Sequence, residues 1–182
     1  MKAVIAIDLG ASSGRVMVGY LESGKIRLKE FHRFQNQQVV HGTESCWDLY
    51  SILEEIKVGI NKVIATGIEV CSLGIDSWGV DFVLLDKFGK HLGEFVSYRD
   101  ARTEGVQDKL LADSQLSLQD IYRTTGIQFL SFNTINQLKA IADQQPEWFG
   151  DIDTCCSFLI TSTTNSLALN IANIPMLPPA NF

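Results

Sequence analysis

The chain has 182 residues, enough for one domain with a buried core and part of a second. Its 21 acidic against 15 basic residues give a net charge of -6, which excludes an extended nucleic-acid surface, because phosphate backbones demand clustered lysine and arginine. No apolar run reaches the roughly 18 residues that cross a bilayer, and Asp8 interrupts the opening run too early for a secretory signal, so no membrane contact and a cytoplasmic location are expected. The four cysteines, Cys46, Cys71, Cys155 and Cys156, form no CxxC pair and stand near no histidine at zinc-ligand spacing, so they read as reduced thiols.

Val4 to Ile7 is a short apolar run closed by a glycine-rich turn, as expected of a central strand. Arg15 to Leu21 and Ile26 to Phe34 continue as two more strands, joined by a tight turn at Ser23-Gly24-Lys25. From Trp47 to Ala65 the apolar residues Leu49, Ile52, Leu53, Ile56, Ile60, Val63 and Ile64 fall on one stripe, which predicts an amphipathic helix lying on the sheet. Ser72 to Asp76, Val80 to Leu85 and Phe95 to Tyr98 read as strands, and 101–112, 117–125 and 134–145 as helices. Ser117 stands three residues before Asp120, a capping arrangement, and Gly126 marks a helix stop. The pattern is an α/β one. His32, His41 and His91 are scattered without a partner pattern and read as surface residues.

Every charged residue lies at or before Asp153. Residues 154–182 hold three of the four prolines and the polar run Thr161-Ser162-Thr163-Thr164-Asn165-Ser166. This break in composition divides the chain into a domain at 1–153 and a foreign tail at 154–182, since globular sequences intersperse their charges.

A strand that ends at Asp8 and turns back through Gly10, Ala11, Ser12, Ser13 and Gly14 can present main-chain N–H groups on its concave side, and such a nest attracts anions. Glycines permit positive φ and a close approach to phosphate, the two hydroxyls donate, and Arg15 adds positive charge. Asp8 suits a magnesium ion reached through water, because that ion prefers carboxylate, phosphate and water together. The motif lacks the Gly-Lys-Ser/Thr ending of a Walker A loop and the helix that follows a dinucleotide fingerprint. On spacing alone, these residues equally describe a plain hairpin loop with a polar strand end.

An apolar strand followed by Asp8-Leu9-Gly10-Ala11-Ser12-Ser13-Gly14-Arg15 resembles the first phosphate motif of the actin and sugar-kinase ATPases. The resemblance implies an α/β, ribonuclease H-like fold, the actin-like ATPase N-terminal domain of a sugar kinase. Three further stretches, Gly74 to Asp81, Tyr98 to Thr103 and Tyr122 to Phe129, are similar to one branch of the FGGY sugar-kinase family, the rhamnulokinases. The implied reaction moves a phosphoryl group from ATP, with Mg²⁺, to the 1-hydroxyl of the ketose L-rhamnulose, in a cleft whose closure limits ATP hydrolysis.

Carried over by position, the resemblance puts Ala11, Ser12, Ser13, Gly14 and Arg15 on the ATP phosphates, beside Asp8, and Gly79 in the sugar pocket. Trp78 and Asp81 join as sugar-facing candidates, because an indole stacks on a sugar face and a carboxylate accepts from hydroxyls; a tryptophan at a strand end also serves a core. Arg99 and Asp100 read either as sugar-facing or as a solvated ion pair. In the family the catalytic aspartate, a second phosphate motif and the adenosine loop lie further along, so no residue here is assigned as general base and the chain is expected to be a truncated, inactive front.

Read from Cys156 in the frame one nucleotide earlier, the permitted codons can spell Leu-Leu-Phe-Pro-Asp-Tyr-Leu-Asn-Tyr-Gln-Leu-Thr-Gly, which is similar to the family's next segment. The tail is therefore expected to be out of frame and disordered, the product of a one-base deletion near Cys155 and Cys156. Two other expectations stand beside the remnant: a nucleotide- or sugar-binding module without catalysis, and one half of a split kinase.

Overall fold

The computed structural model describes residues 2–114 and 116–157. In chain order the elements are β1 (Lys2–Leu9), β2 (Ser13–Glu22), β3 (Lys25–Gln35), β4 (Gln38–His41), β5 (Glu44–Trp47), α1 (Leu49–Ile64), β6 (Glu69–Ser77), β7 (Phe82–Leu85), α2 (Val106–Ser114), α3 (Leu118–Thr125), α4 (Thr134–Gln144) and β8 (Thr154–Ser157). They divide into two compact units, one holding Met1–Gln37 and Trp47–Gly79, the other Gln38–Cys46 and Val80–Cys155.

The first unit is a four-stranded sheet in the order β3-β2-β1-β6, antiparallel except for the parallel pair of β1 and β6. A parallel neighbour needs a long crossover, and α1 supplies it. Along β1, Ala3, Ile5, Ile7 and Leu9 are buried while Lys2, Val4 and Ala6 are exposed, the two-residue alternation of a strand with one covered face. The cover is α1, whose Leu49, Ile52, Leu53, Ile56, Ile60 and Val63 are all buried as the stripe predicts, whereas Ile64 stays exposed. Truncating a side chain such as Ile56, which is 0% exposed, costs about 2–5 kcal/mol. Contact between α1 and β2 is close enough that a Cβ on Gly59 would lie 2.4 Å from Val16 Cγ2, so only glycine fits there. Asp48 starts the helix by accepting from Ser51 N–H at 2.9 Å.

His32 departs from the surface reading. Its Nε2 lies 2.5 Å from Glu55 Oε2 and its Nδ1 2.8 Å from Lys62 Nζ, so it joins β3 to α1. The partners were hidden from pattern reading because they lie on a helix that only the folded sheet brings near. His41 Nδ1 stands 3.9 Å from Glu94 Oε1, and His91 Nδ1 is 2.8 Å from Gly93 O.

In the second unit, β4 and β5 form a hairpin that the sequence pattern did not reveal, because its strands are only four residues long and half of their residues are polar. The strand expected over Val80 to Leu85 is confined to Phe82–Leu85, since Val80 takes a φ of 72°. Phe95 to Tyr98 is not a strand; Val96 makes an isolated bridge to Cys46. The helix expected over 101–112 is broken by Gly105, at a φ of 70°, into a 3₁₀ turn (Ala101–Thr103) and α2. The expected cap on α3 is present: Ser117 and Asp120 form a capping box, and Gly126 ends the helix in the left-handed conformation. β8 pairs with β7, so Thr154–Ser157 is ordered as a strand; residues 158–182 of the expected tail lie outside the described residues. Among the described residues Cys46 and Cys71 are free thiols, and no helix is long and apolar enough to cross a membrane.

Candidate functional site

The first group of candidate residues sits where β1 turns into β2. Gly10 N–H donates to Ser13 O at 2.9 Å, closing the loop. Asn36, just past β3, donates from its backbone to Ser12 O at 3.1 Å and from Nδ2 to Gly10 O at 2.5 Å. Three loop carbonyls are thus held by the protein, while the N–H groups of Ala11 and Ser12 donate to no described residue. N–H groups left free in a turn can donate to an anion. The glycines act differently from the expectation: neither Gly10 nor Gly14 has positive φ. Gly14 is buried in β2, and a Cβ there would lie 2.2 Å from Phe34 Cζ.

Arg15 pairs across the strands with Asp8 and their side chains form an ion pair, so its charge is neutralised locally rather than offered whole to a ligand. Asp8 remains 45% exposed, and Asp76 is its register partner on β6. Next along, Ser77 Oγ is buried without a hydrogen-bond partner, an orphan that a polar ligand or water would satisfy. An exposed carboxylate at the strand end fits a magnesium ion reached through water. Among the described residues no group of three or more His, Cys, Asp or Glu side chains is placed to hold a metal directly.

The second group follows β6. Trp78 is half-buried and packs on buried Trp47 with ring centroids 4.8 Å apart, the environment of a residue at the edge of a core. Gly79 is exposed. Val80 occupies the left-handed region, which costs a β-branched residue about 1–3 kcal/mol. Its carbonyl accepts from Gln137 Nε2 at 3.1 Å. Asp81 is only 4% exposed, and its Oδ1 accepts from Tyr98 N–H at 2.7 Å, so the carboxylate tethers a neighbouring loop.

Arg99 and Asp100 separate in role. The Arg99 guanidinium lies over the Tyr98 ring, 5.4 Å from its centroid. Asp100 accepts from Arg102 N–H at 2.8 Å and from Ser45 N–H at 2.7 Å, which starts the 3₁₀ turn and ties it to β5. Burial pushes the Arg102 guanidinium below its ordinary pKa, against the opposing charges of Glu44, Asp100 and Asp81.

The profile of the FGGY family of carbohydrate kinases, N-terminal domain, matches residues 3–174. The chain belongs to the FGGY family of carbohydrate kinases. It is 49% identical over 151 residues to a rhamnulokinase of Mannheimia succiniciproducens, covering 82% of this chain and 31% of that one. It is 52% identical over 146 residues to a rhamnulokinase of Klebsiella pneumoniae, covering 79% and 29%. The chain therefore spans about a third of the length of the curated relatives it matches. Xylulose kinase from Rhodospirillum rubrum superposes with a TM-score of 0.67 at 18% identity, over 84% of this chain and 32% of that one. Plasmodium falciparum glycerol kinase with ADP gives 0.63 at 17%, over 82% and 30%. These structures establish the fold: the α/β, actin-like ATPase N-terminal domain of a sugar kinase. The family profile runs past the composition break at Asp153.

Sequence reading missed Asn36, Arg102 and Gln137. Asn36 carried one signal, an amide placed just after a strand end where side chains commonly bond to backbone. Gln137 carried none, since a glutamine inside a helix reads as solvated surface.

Proposed function

We propose that this FGGY chain supplies the ATP-phosphate and sugar contacts of an ATP:ketose phosphotransferase acting on L-rhamnulose. The observation that carries the phosphate assignment is the loop from Gly10 to Ser13, with its carbonyls held by the protein and the Ala11 and Ser12 N–H groups left for an anion. Ser12 and Ser13 add hydroxyl donors, and Gly14 and Arg15 fix the strand that carries them. Mg²⁺, held through water by Asp8, would neutralise charge on the phosphates. Exposed Gly79, beside half-buried Trp78, offers backbone that a sugar can approach. The ketose is taken from the relatives' name.

Transfer to a hydroxyl also needs a base near the attacking oxygen, and no residue of this chain is assigned that role. We therefore propose that the chain alone binds ATP without turnover. Calorimetry with ATP, beside an assay for L-rhamnulose 1-phosphate, tests both parts. Absence of ATP binding would sink the phosphate assignment, and binding unweakened by Ser12→Ala and Ser13→Ala together would remove the two hydroxyls from it; product formed by the chain alone would sink the second part. The uncharged composition of 154–182 supports an out-of-frame origin for that segment, and the coding DNA decides it: a shifted frame that fails to continue the kinase pattern refutes the idea.

A further inference from the structure

We infer that Gln137, braced by Arg102, is a positioning residue that holds the backbone turn after Gly79 and thereby sets sugar affinity; this rests on reading Gly79 as part of the sugar site. Gln137 Nε2 donates to Val80 O at 3.1 Å and to Phe132 O at 2.8 Å, and its Oε1 accepts from Arg102 Nη2 at 3.0 Å. The amide can face only one way. Reversed, its oxygen would meet two carbonyls and its NH₂ a guanidinium. The side chain is 1% exposed, so water cannot replace bonds it loses.

These contacts close a ring. The Phe132 ring meets Tyr98 nearly edge-on at 5.3 Å, and Tyr98 N–H donates to Asp81, the residue that follows Val80. Val80 and Asp81 are thus gripped from both ends, one through its carbonyl and the other through its carboxylate. A β-branched residue keeps a φ of 72° only where its surroundings over-determine it, and this ring does so. With the Val80 carbonyl turned to Gln137, Gly79 is left as the exposed part of the turn. A loosened turn would present Gly79 in many orientations, and a ligand would bear the ordering cost.

The test compares the parent chain with Gln137→Met, which keeps the volume and removes all three bonds, and with Gln137→Glu, which keeps an acceptor for Arg102 but loses both donors. Two readouts are taken: amide exchange across residues 78–82 without ligand, and affinity for L-rhamnulose and for ATP by calorimetry. Both variants are expected to exchange faster at 78–82 and to bind L-rhamnulose about tenfold more weakly, with ATP affinity within about twofold. Should Gln137→Met fail to fold, Gln137→Glu carries the same readouts. Equal exchange and equal L-rhamnulose affinity in parent and variants overturn the inference alone. A parent chain that does not bind L-rhamnulose overturns the sugar-site reading and this inference with it.

Discussion

The ring of Phe34 lies over Gly14, its cross-strand partner on β2. A Cβ on Gly14 would stand 2.2 Å from Cζ and 2.5 Å from Cε2 of that ring, and Phe34 is too buried, at 7% exposure, to swing aside freely. Gly14→Ala is therefore expected to destabilise the chain by about 1–3 kcal/mol through overpacking. Phe34→Leu should recover part of that loss when the two are combined, because contacting residues couple. Urea unfolding of the four chains checks this; additive effects of the two substitutions would show that the clash is relieved elsewhere.

Asn36 acts on the same loop through hydrogen bonds. Its Nδ2 bond to Gly10 O, at 2.5 Å, holds the carbonyl side of the hairpin inward. Asn36→Ala is expected to weaken ATP binding by about tenfold, the equivalent of roughly one lost hydrogen bond in the ordering of the nest. Calorimetry reads the affinity and thermal melting reads the fold. A variant that melts lower yet binds ATP unchanged would limit Asn36 to a structural part.

What was legible in the sequence were features made by near neighbours. The stripe from Leu49 to Val63 and the Ser117–Asp120 capping box both rest on spacings of three or four residues within one helix. The loop proposed to hold phosphate was visible as residue types, but the contacts that shape it were not. Gly14 is required by Phe34 rather than by its own φ, and the loop is braced by Asn36, which lies beyond β3. Val80 read as strand because valine favours extended backbone; the distant Gln137 and Tyr98 hold it and its neighbour otherwise. Pattern reading reports local preference, and tertiary contacts override it where the chain is strained.

Cys46 gives the second unit a pH signature. It is 1% exposed, and burial, reinforced by Glu44, Glu94 and Asp100 and opposed by Arg102, pushes its thiol up to about 11 from 9.0. A raised folded pKa means the native state favours the neutral thiol. Its contribution is present in full below the unfolded pKa and lost as pH rises through the folded one. Stability should fall between about pH 9 and about pH 11 by on the order of 2 kcal/mol more in the parent than in Cys46→Ala. Urea midpoints across that range test it; parallel curves for the two chains would refute the assignment.

Val80 allows a test in which the sign itself decides. In ordinary helix or strand positions glycine is less stable than alanine by about 0.5–1 kcal/mol, because it loses more backbone freedom on folding. At a φ of 72° the order should reverse, since alanine keeps the Cβ that is strained there and glycine does not. Val80 lines an apolar cavity of about 280 Å³ with Leu118 and Phe129, and both substitutions remove the same two valine methyls, so that part of the packing loss cancels in the comparison. Val80→Gly is thus expected to be more stable than Val80→Ala by about 1 kcal/mol, whichever way each compares with the parent. If Val80→Ala proves the more stable of the two, the left-handed backbone at this position is not a property of the folded chain in solution. The strain on which the Gln137 ring acts would then be absent.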